Sequence, residues 1–148
     1  MYDLLMADLF DQDAPPSKHA GNRPLADRCR PTKITDVIGQ QKLIGSDGSL
    51  TIMLESGNLP SIIFWGPPGV GKTTIARLLA SEVNMHFVQM SAIYSGVSDL
   101  KKQFEAAKIR HLNGKSTLLF VDEIHRFNKS QQDGFLPFIE NGTIVLVG

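Results

Sequence analysis

Eight residues that follow a short apolar run could bind phosphate. Gly66-Pro-Pro-Gly-Val-Gly-Lys-Thr73 matches the pattern G-x-x-x-x-G-K-[ST] at every fixed position. Glycines let such a loop turn several backbone N–H groups toward one anion, and a following helix adds the positive end of its dipole. In this pattern Lys72 reaches the β- and γ-phosphates, and the Thr73 hydroxyl binds Mg²⁺. The loop predicts nucleotide contacts at Gly66, Pro67, Pro68, Gly69, Val70, Gly71, Lys72, Thr73 and Thr74.

A pair of acids ends a second apolar run, Leu118-Leu-Phe-Val-Asp-Glu123. Asp122 is predicted to share the Mg²⁺ with Thr73, and Glu123 to polarise the attacking water as a general base. Lys72, Asp122 and Glu123 are therefore the predicted catalytic residues. The adjacent acids favour hydrolysis over a switch or a kinase, which would transfer phosphate to a second small molecule. The plainer alternative is two exposed acids at the end of a strand.

Alternating strands and helices are predicted to position these groups. The apolar runs predict strands at 61–65, 86–90, 117–122 and 143–147. The periodicity predicts helices over 73–83, over 97–111 with one apolar face, and over 130–140, where Pro137 should distort the last turn. The fold class is α/β, with a doubly wound parallel sheet whose strands are buried on both faces. Ligands of such sheets bind beyond the carboxyl ends of the strands.

Composition excludes several classes of protein. The 148 residues are 42 % hydrophobic and 20 % charged, and the one cysteine, Cys29, excludes an internal disulfide framework or a cysteine-rich zinc module. We expect no membrane span and no secretory signal, and place the chain in the cytoplasm. Residues 1–14 carry four Asp and no base, whereas the remaining 134 hold 15 bases against 11 acids. We interpret residues 1–24 as a flexible acidic tail and linker, and residues 25–148 as the folded core.

Arg30-Pro-Thr-Lys-Ile-Thr-Asp-Val-Ile-Gly-Gln40 resembles the adenine-side box of AAA+ ATPases in the clamp-loader and branch-migration group. The resemblance implies a P-loop NTPase core with strand order 1-4-3-2, with ATP and Mg²⁺ as cofactors. It also implies that Val37 and Ile38 line the base, although simple core packing would explain both residues.

A narrower resemblance begins at the acid pair. Asp122-Glu-Ile-His-Arg-Phe-Asn-Lys-Ser-Gln-Gln-Asp133 and the following residues to Glu140 resemble the replication-associated recombination protein A family, which includes the Werner-helicase-interacting ATPases. Trp65, Ser91-Ala92 and Ser95-Gly-Val97 match as well. The resemblance implies a homo-oligomeric, ATP-driven ring near the bacterial nucleoid. It would act on DNA forks, gaps or ends beside single-strand-binding protein and the replisome. A branch-migration motor or clamp-loader-like ATPase remains an alternative.

Other residues have weaker signals. Arg126 and Lys129 directly follow the acid pair and are predicted to contact DNA or line a ring pore. His125 is interpreted as orienting the loop after Glu123. Ser91 is either a polar restraint on Glu123 or a plain strand-end hydroxyl. Residues 6–10 resemble a sliding-clamp-binding pentapeptide with Met6 in place of Gln, or are an unstructured apolar island.

Members of the resembled family continue past the fourth strand, into a fifth strand, an arginine finger and a helical lid. None of these can be placed within the 148 residues. We therefore expect a truncated core in which the first strand lies at the sheet edge. By itself it would bind ATP weakly and hydrolyse it negligibly, because an arginine finger contributes about 10³-fold or more to the rate. The alternative is a non-catalytic nucleotide-binding fragment.

Overall fold

The computed structural model describes residues 24–148, apart from the side chains of Ala26 and Asp27. The predicted tail before Pro24, including residues 6–10, lies outside these residues, and the boundary between tail and core stays a prediction. The chain divides into two units, residues 1–30 and 31–148. Helix α1 (Leu25–Arg28) belongs to the first unit. The second unit contains all the other helices and strands of the described residues.

Short helices come first in this unit, and strands alternate with helices after them. The helices are α2 (Gln41–Ile44), α3 (Ser49–Glu55), α4 (Lys72–Glu82), α5 (Val97–Leu112), α6 (Lys129–Asp133) and α7 (Leu136–Glu140). The strands are β1 (His86–Ser91), β2 (Thr117–Asp122) and β3 (Ile144–Val147). Two 3-10 turns complete the unit, at Ile34–Asp36 and Ile124–Arg126. None of the helices in residues 24–148 has the length and apolar character needed to cross a membrane.

The three strands form one parallel sheet in the order β1-β2-β3. Ser91 of β1 pairs with Asp122 of β2, and Phe120 of β2 pairs with Val147 of β3. The segment 61–65 lies beside β3, since Ile62 bridges to Val147 in parallel. Numbered from that segment along the chain, the order is 1-4-3-2, which confirms the predicted topology of an incomplete α/β sheet.

The segment 61–65 was predicted as a buried strand, and this prediction is wrong. The Ile62 N–H donates to Leu146 O at 2.8 Å and the Phe64 N–H to Gly148 O at 2.7 Å, but the pairing amounts to an isolated bridge rather than a strand. Ile63 is 63 % exposed and Trp65 98 % exposed. In the described sheet the segment has a neighbour on one side alone, so its outer half is uncovered.

The core lies on both faces of the sheet, and β2 shows this most clearly. Its side chains alternate, so that Leu119 and Val121 join one buried cluster while Leu118 and Phe120 join the other. The first cluster includes buried side chains of α5 and Phe135, and the second includes those of α3 and α4. Such double burial accounts for the apolar run 118–121 that precedes Asp122.

Two helix predictions need correction. The predicted helix over 130–140 is split into α6 and α7 by Gly134 and Phe135, because Pro137 has no N–H to donate to the carbonyl of Asp133 four residues earlier. Pro137 lies in the first turn of α7, where its missing N–H leaves no intrahelical bond unmade, rather than in a distorted last turn. The apolar face of α5 is buried at its centre, whereas Val97 and His111 at its two ends are exposed.

Candidate nucleotide-binding site

The loop Gly66–Thr73 connects the edge segment to α4. Gly69 and Gly71 have φ angles of +83° and +90°. Residues that carry a Cβ adopt such angles only with strain. No atom lies within 4 Å of a Cβ built on either residue, so backbone conformation rather than space requires glycine there. Gly71 caps α4, whose buried Ile75, Ala76 and Leu79 anchor the helix on the sheet.

The loop presents a run of unbonded backbone donors. The first helical hydrogen bond runs from the Ile75 N–H to Gly71 O at 2.9 Å. Among the described residues, the amides from Gly69 to Thr74 have no hydrogen-bond acceptor. Unpaired amides at the start of a helix are suited to an anion, because they supply both donors and the positive end of the dipole. This donor set fits the phosphates of a nucleotide.

Lys72 folds back over its own loop. Its Nζ donates hydrogen bonds to Gly66 O at 2.8 Å and to Pro67 O at 2.9 Å. The ammonium group is thus held beside the unbonded amides by two neutral carbonyls. Phosphate oxygens would replace these acceptors with charged ones, which form stronger bonds to an ammonium group.

Asp122 ends β2 on the same carboxyl edge of the sheet as the loop. Only β3 lies between β2 and the edge segment, so the two strand ends are about 10 Å apart, twice the spacing of neighbouring strands. The Thr73 hydroxyl and the half-buried Asp122 carboxylate are hard oxygen donors. Mg²⁺ prefers such donors, together with substrate phosphates, so the residues present fit the metal.

Glu123 has an unusual backbone conformation. Its φ of 55° and ψ of 39° lie in the left-handed region, which is uncommon for a residue other than glycine. The strand therefore stops at Asp122, and the chain turns at once into the 3-10 turn Ile124–Arg126, closed by a bond from the Arg126 N–H to Glu123 O at 2.8 Å.

The structure pairs Glu123 with His125 rather than with Ser91. Glu123 Oε2 lies 3.2 Å from His125 Nε2. The Ser91 hydroxyl instead accepts from the Ile93 N–H at 3.3 Å, within its own turn. This arrangement supports the plain strand-end interpretation of Ser91.

The sequence did not predict a role for Ile124, which lies in the turn after Glu123. A Cβ built on Gly148 would lie 2.9 Å from Ile124 Cγ2 and 3.1 Å from Ile63 Cδ1, so both isoleucines cover that glycine. Ile124 thus ties the turn after Glu123 to the ends of β3 and the edge segment. The only feature of the sequence that could have indicated this contact is that Ile124 is an apolar residue between the polar Glu123 and His125.

The residues of the narrower resemblance hold the chain in place after the acids. Phe127 is buried in the core. Asn128 and Gln131 form a reciprocal cap on α6, with bonds of 2.9 and 3.0 Å between side chain and backbone. Gln132 Nε2 donates to Phe127 O at 2.8 Å. Arg126 and Lys129 are exposed, and neither side chain has a hydrogen bond or ion pair with residues 24–148.

The two predicted base-lining residues lie at the end of the turn Ile34–Asp36, which packs near α4. Val37 is half-buried, and its N–H donates to Ile34 O at 3.2 Å. Ile38 is 98 % exposed, so packing in the described residues does not account for it. Val37 fits the packing alternative, while Ile38 is free to meet a ligand.

Comparison with known proteins identifies relatives that match most of this chain. The model of the ATPase family associated with various cellular activities (AAA) matches residues 62–147. Replication-associated recombination protein A of Haemophilus influenzae is 46 % identical over 125 residues, covering 84 % of this chain and 28 % of that protein. The Escherichia coli protein of the same name is 48 % identical over 126 residues, covering 85 % and 28 %. ATPase WRNIP1 of Dictyostelium discoideum is 47 % identical over 125 residues, covering 84 % and 14 %.

Solved structures agree on the fold. A variant of RuvB from Thermotoga maritima has a TM-score of 0.68 and 28 % identity, over 82 % of this chain and 42 % of that one. The same organism's RuvB Holliday junction branch migration motor has a TM-score of 0.62 and 27 % identity, over 81 % and 41 %. This chain spans 28 % of the length of the two bacterial relatives above. The chain belongs to the AAA family of ATPases and, within it, to the replication-associated recombination protein A group.

Proposed function

We propose that this chain forms the ATP-binding core of a Mg²⁺-dependent ATPase that acts on DNA during replication and recombination. The observation that carries the proposal is the placement of Lys72 and Thr73 on the same sheet edge as Asp122 and Glu123, with only β3 between. Two consecutive acids next to a phosphate loop are suited to activating water.

Each residue has a separate part in the proposed hydrolysis. The loop amides and Lys72 would bind and neutralise the phosphates, and Thr73 and Asp122 would hold Mg²⁺, whose charge would stabilise the phosphate oxygens. Glu123 takes a proton from water, whose oxygen bonds to the γ-phosphorus while the bond to the β–γ bridging oxygen breaks. ADP leaves with that electron pair. Ile38, and Val37 beside it, would border the adenine.

The cellular setting of the proposal comes from the relatives. Two are named for replication-associated recombination, which supports DNA forks, gaps or ends as the substrate. We expect a homo-oligomeric ring in the bacterial cytoplasm, near single-strand-binding protein, the replisome and, through residues 6–10, a sliding clamp. Arg126 and Lys129 are proposed to contact DNA phosphates, since both are exposed without an acidic partner among the described residues.

A branch-migration motor is the second candidate. It is favoured by the likeness to the RuvB structures, one of which is titled as a Holliday junction branch migration motor. Identity to these structures is 27–28 %, against 46–48 % to the recombination proteins, so we prefer the first candidate.

The test measures ATP hydrolysis by the whole gene product, with and without DNA. We expect Mg²⁺-dependent turnover that is lost in Glu123→Gln, while this variant still binds ATP. Reversal of both charges in Arg126→Glu/Lys129→Glu should remove DNA stimulation. The matched control is Lys101→Glu/Lys102→Glu, on the exposed side of α5. Turnover that persists in Glu123→Gln would refute the assigned chemistry, and equal losses in both charge reversals would refute the DNA contact.

A further inference from the structure

The carboxylate of Glu123 is not fixed by packing. Its side chain is 42 % exposed, and its backbone is in the left-handed region. A free glutamate side chain loses rotamer entropy when it is fixed in one position. A general base of this kind works best when a third group orients it.

His125 is placed to be that group. Its Nε2 lies 3.2 Å from Glu123 Oε2. Contacts of catalytic groups are often poorly aligned without substrate and tighten when substrate binds. Within residues 24–148 the Glu123 carboxylate has a contact with His125 and no hydrogen bond from the Ser91 hydroxyl, so His125 is its partner there.

The turn that carries His125 is anchored on both sides. Before it, Ile124 packs over Gly148 and beside Ile63. After it, Phe127 is buried, and its N–H donates to Ile124 O at 3.1 Å. The imidazole is itself 68 % exposed, and these contacts hold the backbone that carries it at a constant position beside the carboxylate.

We propose that His125 is a positioning residue for the catalytic Glu123. It holds Oε2 and leaves Oε1 to accept the proton from water. This inference rests on the proposed ATPase function. It assigns the orienting role to the histidine two residues after the base rather than to the strand-end Ser91.

The proposal predicts a selective loss of kcat in the whole gene product. His125→Ala should lower kcat by about 3-fold, a modest effect because exposed pairs are weak. The KM for ATP, the affinity for ATP and the melting temperature should be unchanged. His125→Gln should restore most of the rate, since its amide nitrogen occupies the place of Nε2. His125→Asn, whose amide corresponds to Nδ1, should not. His111→Ala, at an exposed histidine of α5, is the control.

Each outcome decides between the proposals. Loss of kcat in His125→Ala and His125→Asn, with recovery in His125→Gln, supports the positioning role. An unchanged or raised kcat, a parallel change in KM, or equal rates in the Gln and Asn variants overturns it and leaves the ATPase function intact. Absence of turnover in the unmutated protein overturns both the ATPase function and the role of His125.

Discussion

Lys72 Nζ donates a 2.8 Å hydrogen bond to the carbonyl of Gly66, the first residue of its own loop. The bond to Pro67 O, at 2.9 Å, closes the ammonium group over the loop from the same side. In this conformation the Lys72 ammonium group lies beside the backbone amides of the loop that have no hydrogen-bond acceptor within residues 24–148. Binding of a nucleotide then requires an exchange of acceptors rather than a rearrangement of the sheet.

Replacing this lysine should therefore affect binding far more than folding. We expect Lys72→Met to weaken ATP binding by about 10- to 100-fold, the loss of a hydrogen bond to a charged group. Titration with a fluorescent ATP analogue would measure it. Lys115→Met, at an exposed lysine before β2, is the matched control. Equal affinities for the two variants would contradict the assignment.

The loop glycines should differ in their tolerance of a methyl group. Gly71→Ala forces alanine to a φ of +90° and should cost about 1–2 kcal/mol in the free energy of unfolding. At Gly66 the added Cβ would meet Val70 Cγ2 at 3.6 Å, an ordinary contact. Urea denaturation of Gly71→Ala and Gly66→Ala compares them, and a larger loss at Gly66 would refute the argument.

The left-handed backbone of Glu123 predicts that glycine is more stable than alanine at this position. Glycine adopts a φ of 55° freely, so Glu123→Gly should unfold with about 1 kcal/mol more free energy than Glu123→Ala. Neither variant should hydrolyse ATP, because both lack the carboxylate. Denaturant unfolding of the pair isolates the backbone effect. A less stable glycine variant would show that the left-handed turn carries no strain.

The reciprocal cap at Asn128 is expected to stabilise α6. Asn128→Ala removes its 2.9 Å bond with the Gln131 N–H and should cost about 1 kcal/mol. Hydrogen exchange of the α6 amides would measure the loss locally. Ser130→Ala, at an exposed serine inside the same helix, should be neutral or slightly stabilising. If both variants exchange alike, the cap does not hold the helix.

The uncovered edge segment is expected to promote self-association of the 148-residue chain. Ile63→Lys places a charge on this edge, where the isoleucine is 63 % exposed, and should lower association. Ile109→Lys adds the same charge at a residue of α5 that is 61 % exposed. Light scattering at rising concentration compares them. A larger decrease for Ile109→Lys would argue against association through the edge.

The sequence by itself identified the pattern of a phosphate-binding loop and predicted the burial of β2. The spacing of Gly66, Lys72 and Thr73 defines the loop. Glycines permit its positive φ angles and the lysine can reach phosphate, and both properties depend only on the residue type at each position of the loop. The unbroken apolar run before Asp122 predicted burial on both faces, and β2 has it. These properties are local, so they can be recognised without knowing what lies nearby.

The tertiary structure alone decided what depends on neighbours distant in the chain. Ile63 and Trp65 look like core residues in the sequence, yet they are exposed because burial requires a strand or helix on the outer side. Phe135, between α6 and α7, is buried because side chains from α5 and the sheet pack around it. Ile124 meets Gly148, and His125 meets Glu123, only after β2 and β3 are paired and the turn is fixed. The periodicity of side chains reflects the secondary structure of a single helix or strand. These contacts arise only when several helices and strands pack together.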